Sequence, residues 1–185
     1  MLGCRMLDID DPRGRVNRAD RKRLVTFVEI DRCATDAIAV VTGCRLGKRA
    51  LKFRDWGKMA ASFLDLGRAG DAALGVEAVA GGRAVRLAAK ESSKERAREM
   101  YPHIEGKNAQ QMMAYREMPD EELFSTEWVS IAMHAREMPG YKAGRIVCEV
   151  CGEGINFDRE VVREGKTLCQ GCADPEGRYY QVATG

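Results

Sequence analysis

Apolar and polar positions along this chain follow two periods, and the switch between them marks out its elements. Residues 24–30 read LVTFVEI, a short β-branched run that predicts a strand. Asp31 stands where it can accept backbone N–H bonds, and Ala34, Ala37, Ile38 and Val41 then recur at helical spacing. A helix over 32–41 is expected, closed by Gly43. Residues 51–53 predict a short strand. Residues 56–64 alternate through Met59, Ala61 and Phe63 and predict another. Residues 67–75 read as a Gly- and Ala-rich loop, and 76–79 with 84–87, around Gly81 and Gly82, as a hairpin. Helical sequence follows over 92–101 and 108–115, with a short helix opened by Pro119 and its acids. A strand is expected over 128–133, and Pro139 with Gly140 marks a boundary. Residues 1–23 suggest a short helix or turn and then loop, with the basic run at 21–23 diluted by Asp8, Asp10, Asp11 and Asp20.

Beyond that boundary cysteine spacing is more informative than periodicity. Cys148 and Cys151 form one CxxC pair, and Cys169 and Cys172 form a second after a seventeen-residue gap. Two such pairs at this separation are a zinc signature, because a CxxC turn brings two thiolates to one ion with little strain. Gly152 and Gly171 sit beside the pairs, and the stretch from 155 to 168 predicts a hairpin that delivers the second pair. Zinc is favoured over metal-free redox dithiols and over iron in a rubredoxin-like site. Four protein ligands make the site closed and structural, and the metal would supply stability that about forty residues cannot draw from a core.

The chain has 185 residues, 45% of them hydrophobic, enough for one medium domain and a small module. The domains expected are a core over 1–140 and a four-cysteine zinc module over 145–185. A net charge of +2 singles out no partner class. On the module, Lys142, Arg145, Arg159, Arg163, Lys166 and Arg178 are largely cancelled by Glu149, Glu153, Asp158, Glu160 and Glu164. Protein contact therefore fits better than nucleic acid. No apolar stretch approaches the ~20 residues of a membrane span. The opening MLGCRM reaches charge without an apolar leader, so a cytoplasmic protein is expected.

A second group of chemically able residues crowds 31–58: Cys33, Asp36, Cys44, Lys48, Asp55 and Lys58. Cys33 falls in the first turn of the predicted helix, where a thiolate is favoured. Cys33 and Cys44 fit equally well as small core residues. The segment from Gly43 to Lys48 is one residue short of a phosphate loop and lacks its Ser or Thr.

The strings DRCATDAI (31–38), TGCRLGK (42–48), RDWGKMAASF (54–63), GRAVR (82–86), PDEELF (119–124), CEVCGE (148–153) and GKTLCQGCA (165–173) together resemble the FmdE family, named for formylmethanofuran dehydrogenase. The resemblance spans about 24–173. It implies an α+β fold, a mixed sheet with flanking helices, followed by a small treble-clef or ribbon zinc module, and a homodimer. It implies association with molybdenum or tungsten oxidoreductase subunits in one-carbon metabolism and methanogenesis. Family members usually open with a His-Gly-His-x-Cys-Pro-Gly motif. Here the first residues resemble only the tail of that segment, and His103 and His134 lie elsewhere. A late start or a degenerate copy is the expectation, and the missing pair argues against a second metal in the core. Two functions follow as expectations. One is a zinc-binding accessory or subunit of such a one-carbon redox system, not catalytic alone, with the 33–58 group as its pocket. The other is a zinc-containing binding or regulatory module.

Overall fold

The computed structural model describes residues 1–9, 16, 20, 23–67, 79–80, 83–156, 158–181 and 183. The expected loop over 67–75, the first arm of the expected hairpin up to residue 78, and Arg21 and Lys22 lie almost wholly outside these residues. The chain divides into two compact units, Met1–Pro139 and Gly140–Gly185.

The first unit is built on a mixed five-stranded sheet. Its strands are β1 (Leu24–Val28), β2 (Leu51–Phe53), β3 (Ala60–Asp65), β5 (Ala84–Ala89) and β6 (Phe124–Val129), in the order β2-β1-β3-β5-β6. β1 and β2 run parallel, and the helix α2 (Cys33–Thr42) supplies the crossover such a pair needs. The other pairings are antiparallel, with Thr26 opposite Phe63 and Phe63 opposite Val85. Side chains alternate across the pleat, so the two faces carry separate cores. Leu24, Val28, Ala61, Phe63, Val85 and Leu87 form one; Val25, Leu64 and Ala84 form the other with Met133. β3 is buried at every position because it is central and covered on both faces.

The helix α1 (Leu2–Met6) lies on the first face, where Gly3 matters: a Cβ there would collide with the Phe63 ring. α3 (Ser92–Met100) and α4 (Lys107–Ala114) pack together through Ala97, Ala114 and Met118, with α5 (Asp120–Leu123) leading into β6. The short pair β4 (Val79–Ala80) and β7 (Ala132–Met133) stands apart from the sheet.

Three local differences from the sequence-based expectations have physical causes. β5 pairs with β3 and β6 instead of folding back on residues 76–79 as a hairpin; β4 pairs with β7. Residues 56–58 form a turn ahead of β3, with Gly57 at φ 65° and Trp56 largely exposed. α2 starts one residue later than expected, with Arg32 at its N-cap and no side-chain cap. Thr35 instead donates its hydroxyl to the Ile30 carbonyl at 2.6 Å. At its other end Gly43, at φ 72°, closes the helix as the sequence suggests.

The second unit holds two small hairpins, β8 (Arg145–Val147) with β9 (Gly154–Asn156), and β10 (Val161–Arg163) with β11 (Lys166–Leu168), followed by the helical turn α6 (Gln170–Ala173). Glu164 and Gly165, both at positive φ, make the two-residue turn between β10 and β11. The architecture is therefore a mixed sheet with helices, then a small two-hairpin module. No helix among the described residues is long and apolar enough to cross a membrane.

Candidate metal centre

The first CxxC pair sits where β8 turns into β9. Cys148 N–H donates to the Glu153 carbonyl at 2.9 Å, and Gly152 N–H donates back to the Cys148 carbonyl at 2.9 Å. The second pair opens α6, with Cys172 N–H donating to the Cys169 carbonyl at 3.1 Å. The knuckles are tied together through Glu149: its N–H donates to the Thr167 carbonyl, and its carboxylate accepts from Thr167 N–H at 2.7 Å.

This framework brings the sulfurs of Cys148, Cys151, Cys169 and Cys172 within 4.8 Å of one another. Cys151 and Cys169 sulfurs are 3.9 Å apart. Zinc–sulfur bonds of about 2.3 Å in a tetrahedron place sulfurs about 3.8 Å apart, so the donor set fits zinc. The surrounding donors fit it as well. Cys169 N–H points at the Cys148 sulfur at 3.3 Å, and Arg178 Nη2 lies 3.1 Å from the Cys172 sulfur. Arg178 is fixed there by a second bond from Nε to the Gly171 carbonyl. Four thiolates around a divalent ion carry net negative charge, and a guanidinium and an amide offset part of it.

The thiols are unequal before a metal arrives. Backbone N–H groups of Cys151 and Cys169 pull the Cys148 thiol down to about 6. Burial, then crowding by the neighbouring thiols, pushes Cys172 up to about 12. A divalent cation is what permits all four to be thiolates together. The four-cysteine cluster is consistent with one structural zinc site.

The group at 31–58 is spread out. Cys33 lies exposed at the start of α2, while Cys44 lies buried in the core just past its end. A ten-residue helix places these ends about 15 Å apart. Burial pushes the Cys44 thiol up, against smaller lowering by the hydroxyls of Thr42 and Thr26. Asp36, Lys48, Asp55 and Lys58 are exposed, and Lys58 reaches over the Trp56 ring. None of the three described cavities is lined by both cysteines.

Sequence reasoning missed two features. Glu29, only 3% exposed, receives a two-pronged bond from Arg86 at 2.7 and 2.8 Å across the sheet. Arg178 covers Cys172 from beyond the CxxC pair. Both are long-range or loop contacts with no periodic signal. The one cue for Glu29 was an acid inside an otherwise apolar strand run.

Two family models match the chain. One, described as FmdE, molybdenum formylmethanofuran dehydrogenase operon, covers residues 1–125. The other, the prokaryotic dksA/traR C4-type zinc finger, covers residues 142–176. No curated protein matches. Among solved structures, a tungsten formylmethanofuran dehydrogenase FmdE-like protein from Syntrophus aciditrophicus is similar, with a TM-score of 0.52 and 17% identity. The match covers 96% of this chain and 83% of that one, and at this identity it speaks to the fold.

Proposed function

The chain belongs to the FmdE family and carries a C4-type zinc finger, and from that premise we propose that it is a zinc-binding accessory protein of a molybdenum- or tungsten-dependent one-carbon oxidoreductase of the formylmethanofuran dehydrogenase type. It acts as a cytoplasmic homodimer and serves the metalloenzyme as a docking or structural component. The observation that carries this reading is the zinc module itself. Its four sulfurs form a closed set, so zinc there holds a shape and leaves no open position for substrate. Around that shape Val147, Val150 and Val162 are exposed, Val162 at 71%, and its basic side chains are interspersed with acids. Such a surface suits protein contact better than a phosphate backbone.

The test is recovery of the tagged chain from its own host under native conditions, followed by molybdenum and tungsten analysis. Co-recovery of a molybdenum or tungsten oxidoreductase, lost in the Val150→Asp/Val162→Asp variant, is the expected result. Recovery of nucleic acid or a transcriptional regulator in its place would favour a regulatory zinc-binding module and overturn the accessory role.

A further inference from the structure

Two cavities in the first unit lie side by side. One, of about 300 Å³, runs beneath α2 against Phe63, Leu87 and Ala61, and its walls are almost wholly apolar. The other is an open cleft of about 1050 Å³ between the start of α2 and the α3–α4 pair. They share five wall residues: Ile30, Ala34, Met59, Ala89 and Phe124. The apolar cavity and the cleft therefore meet along a common wall.

Their chemistry differs. The polar side chains of the apolar cavity are already engaged: Arg5 pairs with Asp120, and Thr35 donates to a carbonyl. The cleft is lined by Arg32, Lys90, Lys94 and Lys107 against one carboxylate, Glu91, which is paired with Lys94. Lys90 donates to the neutral carbonyl of Glu121, so its charge is not matched by a carboxylate there. Arg32 and Lys107 have no ion-pair partner among the described residues. An apolar void is costly to keep empty, and a cluster of like charges repels itself.

We propose that the cavity and the cleft form one binding site for a small amphiphile, with its apolar body beneath α2 and its anionic carboxylate or phosphate head among Arg32, Lys90 and Lys107. The size fits: 300 Å³ is twice the ~150 Å³ in which an apolar-lined cavity holds a benzene ring, enough for a two-ring or medium-chain body. Small-molecule sites commonly combine apolar walls with a few convergent polar groups. Cys33 lies in the cleft wall and serves as a built-in reporter of occupancy. This site does not depend on the accessory role proposed above.

The probes are decanoate, decyl phosphate, 1-decanol and acetate, titrated calorimetrically into the full zinc-loaded chain. Decanoate or decyl phosphate should bind, the stronger of the two identifying the head group, and either should slow alkylation of Cys33 mapped by peptide. Acetate should not bind, and decanol should bind about tenfold more weakly than the better anion. Arg32→Glu/Lys107→Glu, both on the surface, should weaken the anions about tenfold and leave decanol unchanged. Ala34→Phe, in the shared wall, should weaken all the chain-bearing probes. Binding of decanol equal to both anions, insensitivity to the charge reversal, or no binding by either anion would overturn the joint site.

Discussion

The two units of this chain solve the same stability problem in different ways. Unit Met1–Pro139 buries whole strands: Leu24, Val25, Leu64 and Val85 are fully inaccessible, and a sheet covered on both faces carries two cores. Unit Gly140–Gly185 has a core of only Cys148, Ile155, Leu168 and Ala173, one of which is itself a metal ligand. An unpaired module of that size gains too little from burial to offset its chain entropy. The first unit is held by area removed from water, the second by four bonds to one ion. It follows that the same kind of perturbation should have opposite consequences in the two.

The largest contrast comes from a ligand substitution. Cys169→Ser leaves three thiolates, and structural zinc contributes on the order of 10 kcal/mol to the folding of such modules. The expected outcome is loss of ordered structure in residues 145–173, seen as collapsed amide dispersion, with the thermal transition of the first unit kept. A smaller effect is expected from Glu29→Gln. The change removes a carboxylate that is 3% exposed and leaves Arg86 partly buried beside Ser62 and near Glu127. Breaking a buried pair costs about 3–5 kcal/mol, and the one-fifth exposure of Arg86 brings the expectation to about 2–3. Denaturant unfolding should show it in the first unit only, with zinc content unchanged.

Smaller still is the outer support of the zinc site. Arg178→Ala removes the guanidinium from Cys172 without touching a ligand. Loss of such a partner typically costs 10–100-fold in metal affinity, so zinc transfer to a chelating dye should be faster by about that factor. The mildest perturbation is acid. Cys148 has its thiol lowered to about 6 by backbone N–H groups, so its contribution is present above the ordinary thiol range and is lost as pH falls through about 6. Zinc should be retained at neutral pH and released on acidification below that point, and a release midpoint above neutrality would contradict this.

Legibility in the sequence followed the same division. The cysteine quartet could be read because metal ligation imposes a fixed local spacing, two residues within each pair, and the hairpin turn at Glu164 and Gly165 was marked by its own residues. β1, α2 and α4 were readable because one face of each keeps a regular period. What failed was long-range. The partner of β5 was misassigned since local sequence favours the nearest strand, while burial on both faces drew β5 between β3 and β6. Cys33 and Cys44 are near neighbours among the reactive residues of the sequence, but a helix lies between them, and one faces a cleft while the other is sealed in the core. The Glu29–Arg86 pair joins residues 57 positions apart and leaves no local trace.

The central claim is that two separate stabilising centres operate in one chain, and hydrogen exchange read by mass spectrometry tests it most directly. The purified protein would first be assayed for metal and then followed with and without a zinc chelator. One zinc per chain is expected. Chelation should remove amide protection across residues 145–173 while β1, β3 and β5 exchange as before. Freshly purified protein without zinc, or a module whose protection survives metal removal, would contradict the claim.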